Sequence, residues 1–290
     1  MDILMNNYAF QIIALGTALL AAVAAPVGAL SVYKGQSLIG DAIGHATFPG
    51  VVLAFMAFST RSPAVLLVGA MAAAAVTFFA IQAAHENTRV GLNANLAVFL
   101  SGFFGLGMVL KSFIQGNEAY RGASQAGLET YIFGQAAYML EADVKLIAFV
   151  AALCAALLFA FYKELKVFVF DAEYARAVGL PVRLLQVLLP FLTIAVIGIG
   201  IKAVGAILIS SFLIIPCVAA SQWSDDFAHV LFLSAVFGVV AALAGTYVST
   251  LEQGMSTGPS IILAASAIAF LSMFFGKRGA FRKRGRREEA

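Results

Sequence analysis

"TIAVIGIGIKAVGAILISSF", residues 193–212, holds a single lysine in an otherwise apolar or small-residue stretch. Whether it is one helix or two decides how often the chain crosses a membrane. A crossing needs about 20 apolar residues, enough helix for a hydrocarbon core of about 30 Å. Runs of that kind recur to about residue 276, at 8–32, 37–58, 62–84, 93–114, 143–162, 184–201, 203–221, 228–249 and 259–276. The sixth and seventh could be one helix broken near Gly198, Gly200 and Lys202, and charge settles the count. With nine spans, Lys34, Arg89, the 163–183 loop with Lys163, Lys166, Arg176 and Arg183, and the terminal Lys277, Arg278, Arg282, Lys283, Arg284, Arg286 and Arg287 share one side. That side is cytoplasmic by the positive-inside rule. Merging the pair would send the most basic segment outward. The expected fold is therefore an all-α membrane helical bundle of about nine transmembrane helices, N-terminus outside and C-terminus cytoplasmic.

Composition agrees: of 290 residues, 62% are hydrophobic and 11% charged, which leaves no stretch for a soluble domain. Residues 1–276 read as one transmembrane domain and 277–290 as a basic cytoplasmic tail. Beside a membrane helix such a tail anchors to anionic lipid, and no nucleic-acid partner is expected. Loop 115–142, with Glu118, Glu129 and Glu141 against Arg121, falls outside. Cys154 and Cys217 lie in separate apolar segments with no CxxC spacing, so they read as core filler. "MDILMNNY" lacks the basic residues of a signal peptide, so 8–32 reads as a retained span.

"GDAIGHATFPG", residues 40–50, places Asp41 and His45 four apart, hence on one helix face about a turn from each other. A carboxylate inside a span costs several kcal/mol unless paired, hydrated or metal-bound. Two readings stand open. Asp41 caps a helix start while His45 bonds to backbone; or the two form a cation site, since carboxylate oxygen plus imidazole nitrogen suits manganese, iron or zinc. Two ligands hold an ion weakly, which is what permeation requires. On a span of 37–58, His45 should lie near the bilayer midplane, and Pro49 should kink the helix, either freeing a carbonyl near the site or as a plain packing kink.

"DAEYARAVGLPVRLL", residues 171–185, reads as a short cytoplasmic helix over about 171–180, with Asp171 as N-cap, Gly179 as C-cap and Pro181 as stop. Tyr174 and Val178 share a face, with Glu173 and Arg176 to the sides. So short a helix is held by a partner protein's groove or by the membrane interface. His85 and His229 read as solvated, and Lys202 as snorkelling to the outer interface. No GxxxxGK[ST] loop, HExxH pair or nucleophile elbow occurs, so no nucleotide site of that type and no catalytic motif is expected.

Together these stretches resemble the integral-membrane permease subunit of the zinc, manganese and iron family of bacterial ABC importers. "SLIGDAIGHATFPGVVLA", 37–54, is similar to that family's early segment, and "DAEYARAVGLPVRLL" to its coupling segment. "KAVGAILISSFLIIPCVAA", 202–220, and "TGPSIILAA", 257–265, resemble its later spans. The resemblance implies a plasma-membrane import subunit, not itself an enzyme and with no cofactor, carrying a divalent metal ion past Asp41 and His45. It implies a cytosolic ABC ATPase docking on the coupling helix, with Asp171, Glu173, Tyr174, Arg176, Ala177 and Gly179 in that element. It further implies an extracellular metal-binding protein that delivers the ion, and a second permease subunit, with a homodimer expected. "FGQAA", 133–137, looks more like manganese-type than zinc-type members. The competing readings are an ion- or proton-coupled secondary carrier using the same pair as a relay, and a membrane-embedded hydrolase, which lacks a third ligand and a base.

Overall fold

The structure, a computed structural model, describes residues 8–60, 62–117, 120, 134, 136, 139–251 and 255–278. Most of the basic tail, Glu118, Arg121 and Glu129, three residues of "FGQAA" and the Lys202 side chain lie outside the described residues. What is described is helical, with no strand among the described residues. The elements are α1 (Tyr8–Tyr33), α2 (Ile39–Phe58), α3 (Pro63–Asn87), α4 (Leu92–Gly116), α5 (Glu141–Ala160), α6 (Tyr162–Phe170) and α7 (Ala172–Ala177). A helical stretch Val182–Ala220 follows, interrupted at Gly205, which gives α8 (Val182–Ile201) and α9 (Ala203–Ala220). The chain closes with α10 (Phe227–Ser249) and α11 (Thr257–Phe275).

Nine of these, all but α6 and α7, are long and apolar enough to cross a membrane. A straight helix of 39 residues would reach about 58 Å. Instead Val182, Leu185 and Leu189 share a core with Cys217 and Ala220, so the two ends of the stretch meet. Gly205 makes the reversal at φ 81° and ψ 166°, a region closed to residues with a Cβ. A Cβ placed on Gly200 would already stand 2.7 Å from Ile209 Cδ1 across the hairpin. The doubtful pair is therefore two antiparallel spans, and the break falls at Gly205, a few residues beyond the expected point.

Side-chain contacts at the two ends trace the alternation. The Tyr8 hydroxyl donates to Glu141 Oε2 at 3.1 Å, which joins the starts of α1 and α5. At the other end Tyr33 packs edge-on against Phe170 and Phe227. Arg278 belongs there too: its side chain pairs with Asp225, and its backbone N–H donates to the Gln222 carbonyl at 3.1 Å. The first and last described residues thus lie at opposite ends, as an odd number of spans requires.

α1, α2 and α9 are the most buried spans, whereas only Asn95, Leu96, Gly107 and Ile114 of α4 are buried. Apolar side chains facing outward, such as Val98, Val109 and Phe113, suit a lipid surroundings rather than water. Small residues let backbones touch, as expected for helices packing in lipid. A Cβ on Gly28 of α1 would collide with the backbone of Leu213 in α9. One on Gly107 of α4 would meet Phe48 Cδ1 of α2 at 2.5 Å.

Two expectations change. α7 is six residues long, shorter than 171–180. The nine-residue helix α6 was not expected from the sequence. Pro49 lies inside the helical span of α2.

Gly205→Ala should cost about 1–3 kcal/mol, the scale of a forced backbone outlier, and lower the melting temperature of the purified protein in detergent. Gly102→Ala, where an added Cβ meets nothing within 4 Å, should leave the melt unchanged.

Candidate functional site

α2 begins earlier than its acidic residue suggests. Gly35, at φ 77°, turns the chain after α1, and Ala42 N–H already donates to the Leu38 carbonyl at 3.0 Å. Leu38 is the N-cap, without a side-chain bond, and Asp41 stands inside the first turn. The capping role for Asp41 is therefore not what the structure holds. His45 is not bonded to backbone either: its Nδ1 is buried with no hydrogen-bond partner, and its Nε2 lies 3.5 Å from Asp41 Oδ1. The two sequence-predicted residues come together as an i, i+4 pair.

The helix orients them by its glycines. Gly40 and Gly44 lie on the face that abuts α9, where added Cβ atoms would meet Leu213 Cδ1 at 2.6 Å and Ser210 Oγ at 3.3 Å. One residue on, Asp41 and His45 are rotated about 100° from that contact. Their side chains keep 32% and 19% of their accessible surface, so the pair stays open to an approaching group. His45 is the seventh of the 20 residues of α2, about one turn from the middle of the helix on the side of Tyr33. Its ring packs edge-to-face on Phe104 of α4 at 5.2 Å.

One carboxylate and one imidazole suit a first-row divalent cation, but a closed structural site needs four such donors. Among the described residues no cluster of three or more His, Cys, Asp or Glu is placed to hold a metal. The pair can bind an ion only in passing, or together with donors from elsewhere.

The second constellation is α7. Asp171 Oδ1 accepts from the backbone N–H groups of Glu173 at 3.0 Å and Tyr174 at 2.8 Å, which makes it the predicted N-cap. Past the other end Gly179 adopts φ 80°. Its N–H donates to the Arg176 carbonyl at 3.1 Å, while Leu180 N–H reaches Ala175 at 3.0 Å, closing a Schellman motif. Capped at both ends, α7 is fastened by Ala175, fully buried against Leu165, Phe168, Val182 and Leu185. Glu173, Tyr174, Arg176, Ala177 and Val178 are exposed.

Below α7 the rings of Tyr33, Phe170 and Phe227 meet pairwise at 5.2–5.6 Å. Lys34 Nζ sits 4.1 Å over the Phe168 ring, and burial pulls its pKa down to about 8. This seat joins α1, α6 and α10 to the short helix. Sequence reasoning missed it, and also missed Phe104; the aromatic density of "YKELKVFVF", residues 162–170, was the available signal for the seat.

A bundle with apolar outer faces, an ionisable pair inside one span and a doubly capped short helix exposed at one end defines a multi-pass membrane protein of the transport type. The ABC 3 transport family matches residues 6–276, and the chain belongs to it. It is 37% identical to the manganese transport system membrane protein MntC of Bacillus subtilis over 91% of this chain, and spans 60% of that relative's length. It is 35% identical to the zinc transport system membrane protein TroC of Treponema pallidum, over 94% of this chain and 91% of the relative. Among solved structures it is similar to a chain of PsaBC from Streptococcus pneumoniae in complex with Fab. The TM-score is 0.82 and the identity 26%, over 100% of this chain and 98% of that one.

Asp171→Ala should cost about 1 kcal/mol locally, an N-cap's usual worth. Hydrogen exchange at the Glu173 and Tyr174 amides should then quicken about fivefold, with the amides in the middle of α1 unchanged.

Proposed function

We propose that this chain is the membrane-spanning permease of an ATP-driven importer of divalent transition-metal ions, with manganese the first candidate cargo. The observation that carries the reading is the Asp41–His45 pair, an open, two-donor metal-type site inside a span of a family member that brings no nucleotide-binding loop of its own. Relatives named for manganese and zinc transport support the cargo class. "FGQAA" inclines the choice to manganese.

Positive charge orients the bundle. Lys34, Arg89, Lys163, Lys166, Arg176, Arg183, Lys277 and Arg278 belong to the α7 end, against Lys111 and Lys145 toward the other among the described residues. The α7 end is therefore cytoplasmic. An extracellular metal-binding protein delivers the ion at the opposite end, and a cytosolic ABC ATPase grips the exposed face of α7. A second copy of the chain brings its own Asp and His, raising the donor count to four. Each pair alone holds the ion loosely enough to release it.

The test is metal content in cells lacking the native gene, complemented with variants at limiting manganese, zinc and iron. Wild type should restore one metal. Asp41→Asn and His45→Ala should lower that uptake by about tenfold or more, since even groups behind a ligand are worth that much. Normal uptake in both variants would remove the pair from the ion path.

Ala175→Pro combined with Glu173→Lys should release the ATPase from the purified complex while the protein still inserts, because proline breaks α7 at its buried anchor. Full ATPase recovery with that variant would place the docking surface elsewhere.

A further inference from the structure

The two nitrogens of His45 face different surroundings. Nε2 looks toward Asp41 Oδ1 at 3.5 Å, whereas Nδ1 is buried without a hydrogen-bond partner. A buried ring nitrogen with nothing to bond is costly. What lies beside the imidazole is the ring of Phe104, at 5.2 Å between centroids and 84° between planes, the edge-to-face arrangement in which an N–H can point into a π cloud.

That neighbour is held in place. Gly107, one turn after Phe104, lets α4 close on α2, so that a Cβ there would stand 2.5 Å from Phe48 Cδ1 and 3.1 Å from the Pro49 nitrogen. Phe48 follows His45 by the same spacing and packs on Phe104 at 6.3 Å. The glycine contact thus sets the register in which Phe104 meets His45.

We propose that Phe104 is a positioning residue for metal transfer: when His45 Nε2 ligates the ion beside Asp41, the ring face of Phe104 accepts Nδ1–H, aims the imidazole and keeps it a weak ligand. The inference rests on the reading of Asp41 and His45 as ion contacts. Histidine ligands that hold a metal firmly donate their second N–H to a carboxylate or carbonyl, which raises ring basicity. An aromatic face orients the ring but adds little basicity. Firm aim with weak donation suits a site that must let its ion go.

Two measurements test this on the purified permease–ATPase complex. The first is the ¹⁵N shift of His45, one of only three histidines in the chain. With Zn²⁺ bound, wild type should show Nδ1 protonated and Nε2 on the metal, and Phe104→Leu, which keeps an apolar side chain but removes the ring face, should show a mixture of the two ligation modes. A metal-bound Nδ1 in wild type overturns the proposal.

The second is equilibrium binding and uptake of Mn²⁺, with Zn²⁺ in parallel. Phe104→Gln, whose amide oxygen can accept Nδ1–H, should bind the transported ion about tenfold more tightly and lower the maximal uptake rate. Phe104→Tyr should stay near wild type, and adding His45→Ala should erase the gain. Unchanged or weaker binding in Phe104→Gln, with His45→Ala still blocking uptake, overturns the role of Phe104 alone. Wild-type binding and uptake in His45→Ala overturns both this role and the ion contact.

Discussion

The fold turns on one backbone constraint: a chain that reverses among apolar helices must keep its peptide groups paired through the turn. Gly205 meets it by taking a conformation that no side-chain-bearing residue holds cheaply, so two spans fit into one nearly unbroken helical stretch. Everything after the reversal depends on it. α9 returns along α2, where the bare faces of Gly40 and Gly44 receive Ser210 and Leu213. That contact settles which way α2 is rotated, and hence that Asp41 and His45 are turned to the adjoining, open face. The reversal also brings Cys217 and Ala220 back beneath α6 and α7, completing the core on which the short helix rests.

Much of this was legible in the sequence because it is written in charge and in backbone-specific residues. The count of nine spans follows from where Lys and Arg fall, and the described residues hold nine candidate crossings. Asp171 and Gly179 announce α7 because an N-cap carboxylate and a left-handed glycine have few other uses at that spacing. Asp41 and His45 stand out because ionisable groups are rare inside spans. What stayed hidden depends on contacts between distant segments. Asp41 next to Gly40 looks like a cap, but the turn at Gly35 starts the helix before it. Phe104 is one of several phenylalanines on a lipid-facing helix, and no local pattern marks the one that meets an imidazole. α6 lacks a cap signal, and its helical form is stabilised by aromatic contacts to Tyr33 and Phe227.

The two functional regions are mechanically connected through few parts. α7 hangs on Ala175, and the rings beneath it belong to the end of α1, to α6 and to the start of α10. α1 is in turn locked against α9 by Gly28, and α9 lies against the glycine face of α2. α7 and the Asp41–His45 pair are thus linked through packed backbones rather than through long side chains. Close-packed elements of this kind shift between discrete arrangements more readily than they deform.

The burial of α1 also bears on how the protein is made. Among the described spans it is synthesised before the rest, yet several of its partners come late: Leu213 over Gly28, Gly238 near Ala21, and Thr246, whose Oγ1 lies 3.5 Å from that of Thr17. Until the seventh and eighth crossings are synthesised, the small-residue face of α1 lacks these partners. The seat of α7 waits as well, since Phe227 opens that same late span. A nascent or truncated chain that stops short of α10 has no finished seat for α7. Topology alone thus ties assembly competence to complete synthesis.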